Sequence, residues 1–295
     1  MTIDLGQELL PAARVFIDRH LTNAKEWFPH TFVPWSRAHD FGESWDPETK
    51  LPEPVRAALL VNLLTEDNLP YYYRTISGNF GRDDAWGEWS RRWTAEEARH
   101  AIVIREYLHV TQAIDPWQLE RMRMQQMSDG VVPEPETPID TLAYVAAQEL
   151  ATRISHRNTG QLIGDDSGAS VMSRVAMDEN LHHLFYRDLV TAGIELDPSQ
   201  SVGAIARQIM EFSMPGQGIE GFSKYTKMIA DANIYNTTIH WESIVKPLVF
   251  THWKIPEVAS MDAAGEEARE KLLTYCAKLE RVSDKLKERQ SSHPE

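Results

Sequence analysis

The chain has 295 residues, 42% apolar and 25% charged, which suits one large domain with a sizeable core and excludes a disordered, collagen-like or disulfide-stapled chain. Forty-four acidic against thirty basic side chains give a net charge of −14, which argues against nonspecific binding to nucleic acid or anionic membranes. A lone cysteine, Cys276, allows no intrachain disulfide and points to a reducing, cytoplasmic setting.

The N-terminus, MTIDLGQELL, lacks the basic run and apolar stretch of a signal or transit peptide, and no window is apolar enough for a transmembrane segment. Helical periodicity then dominates. The spacing predicts helices over 5–24, 52–78, 84–112, 115–129, 139–161, 167–193, 199–213, 219–233, 236–250 and 262–289. Pro133, Pro135 and Pro138 break one junction, Asp165 to Gly168 a second, Asp197-Pro198 a third, and Pro215, Gly216 and Gly218 a fourth. Residues 1–50 read as one helix followed by an extended segment over the core, and 290–295 as a frayed tail. With no repeat and no long linker, residues 1–295 form a single all-α domain. On the last helix, Leu272, Cys276, Leu279, Val282 and Leu286 make an apolar stripe for packing on the body or on a second subunit.

Four helices carry a carboxylate on an otherwise apolar face. The stripes are Val55, Leu59, Asn62, Glu66; Trp89, Trp93, Glu97, His100, Ile104; Leu142, Val145, Glu149, Thr152, His156; and Val171, Val175, Glu179, His182, Tyr186. A buried carboxylate is costly unless paired or metal-bound. Two of the helices hold Glu-x-x-His, Glu97–His100 and Glu179–His182, and residues three apart share a helix face. The other two supply Glu66 and Glu149, each 30 or 31 residues before the next helix's Glu. Glu, Glu-x-x-His, Glu, Glu-x-x-His is the ligand order of a di-iron or di-manganese site in a ferritin-like four-helix bundle. Four carboxylates neutralise two divalent ions, and oxygen donors with one imidazole per ion suit iron, with manganese as a substitute. Pro70 cannot donate to the carbonyl of Glu66, so a kink or irregular turn is expected beside that residue, either bending the helix around the bundle or leaving room for oxygen or substrate.

These residues resemble the soluble acyl-acyl carrier protein desaturases, of which the stearoyl type is best known. WTAEEARH, Trp93 to His100, is similar to that family's WTAEENRH, and ISHRNT, Ile154 to Thr159, to ISHGNT. TEDNLP, Thr65 to Pro70, is similar to TEEALP, and DENLH, Asp178 to His182, to DEKRH. The resemblance runs from about Trp27 to Lys254. It implies that Glu97 and Glu179 bridge two metals, with Glu66 and His100, and Glu149 and His182, completing the two sites. It also implies that Thr152 stands beside the oxygen site, that Asp178 hydrogen-bonds His100, and that Trp27 lies on the electron path. Trp93 is read as core packing.

The activity implied is removal of two vicinal hydrogens from a fatty acyl chain to give a cis double bond. The chain would be held on acyl carrier protein, electrons would come from a ferredoxin-type donor, and the protein would be a homodimer. An acidic carrier needs a local basic patch, which the sequence does not locate. Thr75, Gly78, Thr141 and Leu142 are candidates for the far end of an acyl tunnel. Leu181 stands where the family has arginine, Asp67-Asn68 where it has Glu-Ala, and the C-terminal segment is short. Other readings of the same ligands are a hydroxylase or N-oxygenase, a ribonucleotide reductase radical subunit (disfavoured by Ile104 in its tyrosine position), ferritin-like storage, and a weakly active desaturase paralogue.

Overall fold

A computed structural model describes residues 3–42, 44–46 and 51–292. Twelve helices are described: α1 (Leu5–Glu8), α2 (Leu10–Asn23), α3 (Glu53–Glu66), α4 (Leu69–Phe80), α5 (Asp84–Thr111), α6 (Pro116–Asp129), α7 (Pro138–Leu162), α8 (Asp166–Leu196), α9 (Pro198–Met210), α10 (Phe222–Asp231), α11 (Thr237–Ile239) and α12 (Ala263–Ser292). No strand occurs among the described residues. The all-α expectation is met.

Several starts follow one recipe. Asp115, Thr137 and Asp197 cap α6, α7 and α9 through side-chain oxygens on backbone N–H groups, and each is followed by proline at the first helical position. Asp165 caps α8 by accepting from the N–H of Gly168 at 2.8 Å. At that glycine a Cβ would lie 2.5 Å from the Tyr107 hydroxyl, so only glycine lets α8 begin against α5.

The helix expected over 52–78 is two. α3 stops at Glu66 and α4 starts at Leu69, because Pro70 offers no N–H to Glu66 and its ring obstructs a continuing α-helix. The helix expected over 5–24 also divides, at Leu9 just ahead of Pro11. The stretch expected over 236–250 begins as α11 but continues as two π-helical runs, His240–Val245 and Pro247–His252. Pro247, which cannot donate, opens the second run. The described residues between 24 and 46 form no α-helix and hold two single turns, Pro29–Thr31 and Trp35–Arg37, while 43 and 47–50 lie outside the described residues. α12 continues to Ser292, and the rest of the tail expected to fray lies outside the described residues.

α3, α5, α8 and α7 form the bundle, each packed against two of the others around a closed ring. α7 and α8 are joined by three residues and pack along each other as an antiparallel hairpin. α2 lies against α5 and α8, α9 against α7 and α8, and α12 against α9. Two apolar clusters fill the interior. One gathers Leu142, Val145, Phe185, Leu189, Ile205, Trp241 and Leu272, the other Val55, Leu59, Leu63, Ile104, Tyr107 and Val175. On α5 and α8 the functional carboxylates fall where one cluster gives way to the other. On α12, Leu272, Cys276 and Ser283 are buried, whereas Val282, expected in the apolar stripe, is exposed. The inward face is rotated toward Ser283.

Candidate metal centre

Glu66, Glu97, His100, Glu149, Glu179 and His182 all converge in the middle of the ring, and none is more than 7% exposed. His100 Nδ1 lies 3.3 Å from Glu97, 3.6 Å from Glu179 and 3.7 Å from Glu66. His182 Nδ1 lies 2.7 Å from Glu97, 3.6 Å from Glu149 and 3.8 Å from Glu179. The donor atoms form two overlapping groups, Glu66, Glu97, His100, Glu179 and Glu97, Glu149, Glu179, His182, each within 4.8 Å. Glu97 and Glu179 belong to both, as bridging ligands must.

The chemistry of these atoms fits metal ions. Glu97 Oε1, Glu149 Oε2, Glu179 Oε2 and the Nδ1 atoms of both histidines are buried without any hydrogen-bond partner among the described residues. Buried polar atoms without partners cost about 1–3 kcal/mol each, a cost that coordination removes. Without an ion the acids titrate far apart. Burial and the charges of Glu97 and Glu149 push Glu179 well above the usual carboxylate range. Burial would also raise Glu66, but the close imidazoles of His100 and His156 overcome it and hold Glu66 low. Burial opposes charge on His100 and His182, yet the Glu97 carboxylate and the surrounding acids raise both well above the normal imidazole value.

Each histidine turns its other nitrogen to a carboxylate on the opposite helix. His182 Nε2 is hydrogen-bonded to Glu96 at 3.0 Å, and His100 Nε2 faces Asp178 at 3.5 Å. Such partners fix which ring nitrogen is free for a metal. Asp178 accepts from Trp27 Nε1 at 2.7 Å and also pairs with Arg99 and Arg174. Burial would raise it, but the facing His100 imidazole, helped by the Trp27 hydrogen bond, holds it down to about 2. Leu181 brings no charge, so the arginines at this carboxylate come from Arg99 and Arg174. Trp27 lies nearly parallel to the His100 ring at 6.4 Å, with the Arg99 guanidinium 4.9 Å from its centre. It is buried.

Glu96, His20 and His156 were missed as candidates. Glu96 also accepts from His20 Nε2 at 2.8 Å and pairs with Arg92. The signal for it was present: an acid directly precedes each bridging Glu, as Glu96-Glu97 and Asp178-Glu179. His20 sits on α2, too far along the sequence for any spacing to reveal it. His156 Nε2 lies 3.3 Å from Glu66 and 3.4 Å from Glu179. Trp93 does more than pack: its Nε1 donates to Glu149 Oε1 at 3.0 Å. Asp67, passed over in favour of Glu66, faces away and pairs with Arg123.

A cavity of about 90 Å³ opens beside the centre, lined by Glu66, Thr152, His156, Met214, Phe222 and Tyr235 among others. Thr152 stands in its wall, its hydroxyl shared with the carbonyls of Gln148 at 3.2 Å and Glu149 at 3.1 Å. Met214, Thr226 and Tyr235 also line a surface cleft of about 870 Å³ bounded by α11, the first π-helical turn and α12. Thr75, Gly78, Thr141 and Leu142 line neither space. Thr141 is instead buried against α4, accepting from Asn79 at 2.6 Å.

A four-helix bundle with two Glu-x-x-His helices and two single-Glu helices facing inward places buried carboxylate-histidine clusters that could hold metal ions. Residues 2–295 match the family model described as fatty acid desaturase, and the chain belongs to that family. It is 39% identical over 96% of its length to DesA1 of Mycobacterium tuberculosis, which carries the name acyl-[acyl-carrier-protein] desaturase, and covers 87% of it. Identity to the chloroplastic stearoyl-[acyl-carrier-protein] 9-desaturase of Gossypium hirsutum is 30%, over 92% of this chain and 73% of that one. The X-ray structure of DesA2 from M. tuberculosis H37Rv, also titled an acyl-ACP desaturase, superposes with a TM-score of 0.73 at 29% identity. It covers 90% of this chain and 98% of that one.

Proposed function

We propose that the chain is an acyl-[acyl-carrier-protein] desaturase holding two iron ions. It would remove two vicinal hydrogens from a fatty acyl thioester: one saturated chain, one dioxygen, two electrons and two protons give one cis alkene and two waters. The observation that carries this reading is the pair of overlapping donor groups sharing Glu97 and Glu179, in a chain of the desaturase family. The bound metal pair supplies dioxygen activation and hydrogen abstraction, which no side chain performs at neutral pH.

The remaining work falls to the protein. Glu66, Glu97, His100, Glu149, Glu179 and His182 hold the ions. Glu96 and Asp178 aim the two imidazoles, and Trp93 fixes one oxygen of Glu149 so that the other stays free. The apolar cavity positions methylene groups beside Glu66 and excludes bulk water. Thr152 offers a hydroxyl there whose present bonds are weak enough to exchange for a proton delivery. Trp27, joined to Asp178 and through it to His100, provides a route for electrons from a ferredoxin-type donor. We further infer a cytoplasmic homodimer. No described helix is long and apolar enough to cross a membrane.

The test is anaerobic reconstitution with Fe(II), metal counting, and a single turnover with dioxygen and stearoyl-acyl carrier protein followed by mass spectrometry. Two irons per chain and a product lighter by two hydrogens are expected. A product carrying an oxygen atom from dioxygen would replace desaturation with hydroxylation, and a folded protein that takes up no metal would overturn the reading.

A further inference from the structure

The chain is strongly acidic, yet one of its surfaces carries cations in a row. On α12, Tyr275, Leu279 and Leu286 face the 870 Å³ cleft whose inner wall it shares with the cavity at Glu66. Immediately beside that stripe, Lys278, Lys285 and Arg289 recur at intervals of seven and four and so stand on one helix face over about 16 Å. All three are exposed and make no ion pair among the described residues. The cations tied down nearby point elsewhere: Lys246 pairs with Glu280 and Lys287 with Glu242, clamping α12 to the π-helical segment. The acid in the cleft wall, Asp231, is already paired with Lys227. What sets these three apart is their alignment on one helix face beside a cleft, where they are available to charge from outside.

We infer that the Lys278–Lys285–Arg289 ridge is the docking surface for an acidic acyl carrier protein, which delivers its acyl chain through the adjoining cleft. This rests on the desaturase reading. Three observations support that occupant over others. The ridge is cationic where the partner's surface is anionic. It borders a cleft that shares Met214, Thr226 and Tyr235 with the cavity at Glu66. The stripe beside it, Tyr275, Leu279 and Leu286, is apolar and suits an acyl chain passing across the lip. Rim charges of this kind act chiefly on encounter rate and salt dependence.

The experiment uses full-length, iron-loaded protein and stearoyl-acyl carrier protein. Its dissociation constant is measured by fluorescence anisotropy at low and high salt for wild type, for Lys278→Glu with Lys285→Glu, and for Arg82→Glu with Arg121→Glu. The last pair makes the same change in net charge on the α4–α5 turn and α6. The ridge variant should bind about tenfold more weakly at low salt with a shallower salt dependence, while the control stays within about twofold of wild type. Iron content and Tm should match wild type in both. Lys285→Ala, which keeps helix propensity, should show a smaller loss in the same direction. Equal affinity in the ridge and control variants would overturn the assignment. So would a ridge variant that keeps carrier binding but passes from dimer to monomer in light scattering, which would give the ridge to a second copy of the chain. Wild type that converts the acyl chain while the ridge variant binds equally well removes the ridge alone. Wild type that neither binds nor converts removes the desaturase reading with it.

Discussion

Glu97 and Glu179 decide the centre at the residue scale, since each belongs to both donor groups. Glu97→Ala or Glu179→Ala should lose the coupled pair of metals, and elemental analysis showing two ions per chain in both variants would sink the ligand assignment. Glu96 belongs to neither of the two groups that share Glu97 and Glu179, but it is hydrogen-bonded to His182 and orients that ring toward them. Glu96→Ala should weaken metal affinity by about 10–100-fold, read by competition with a chromophoric chelator. It should do so with little change in stoichiometry at saturating metal. The convergence of these six residues was legible because a helix face is a strict ruler: i, i+3 and i+4 positions fall together whatever the rest of the fold does. Glu96 was legible in principle from the doubled acid before each Glu-x-x-His. His20 and His156 were not. His20 arrives from outside the bundle, and His156 sits two turns beyond Glu149, where its approach to Glu66 depends on how α3 ends.

Among the elements, caps and prolines set the architecture, and Asp140 shows how one residue ties two of them together. It lies in the first turn of α7, beside the Thr137 cap, and accepts from Arg207 at 3.0 Å and Gln208 at 3.1 Å on α9. Burial would raise its carboxyl, but the Arg207 hydrogen bonds, helped by Thr137 and Gln208, hold it below the usual range. A lowered carboxyl stabilises the fold above its unfolded value and loses that contribution as pH falls through the folded one. Asp140→Asn should therefore cost about 1–2 kcal/mol near neutrality, discounted for the half-exposed guanidinium. The gap to wild type should close below about pH 4. Chemical denaturation of both proteins across pH 2.5 to 7 would show it, and a gap that stays constant into acid would contradict the pairing. Helix existence was legible almost throughout because the apolar period is strong. The break at Glu66 was foreseeable from Pro70, and the structure places it there. The π-helical runs were not, since an inserted residue leaves the local apolar period nearly intact and only the long-range packing of Trp241 and Leu248 reveals the shift.

For the molecule as a whole, the centre sits between two apolar clusters, so its charge balance bears on the stability of the entire bundle. In the metal-free chain, protons on raised histidines and on Glu179 make up part of the missing positive charge. Metal binding replaces them and should stabilise the fold by mass action, by about 2.7 kcal/mol at a hundredfold excess over Kd. Calorimetry with Mn(II), which avoids oxidation, should show Tm rising with metal concentration by several degrees. A Tm indifferent to metal would mean that the ions bind elsewhere. The aromatic interior also belongs to this scale. Trp27, Trp86, Trp89, Trp93, Trp241 and Trp253 are buried, and the Trp89 indole, stacked on Phe185 at 3.6 Å, donates to Tyr186 at 2.9 Å.

The carboxylates that aim the two imidazoles are exchanged between the helix pairs: Glu96 on α5 serves His182 on α8, and Asp178 on α8 faces His100 on α5. Neither pair is a self-sufficient half. A chain severed between α6 and α7 would leave each fragment with a histidine whose ring nothing steers. The site is interlocked, and it is complete only where the α7–α8 hairpin is closed on α3 and α5. The full set of donors therefore exists only in the assembled bundle, and each helix pair alone offers an incomplete one.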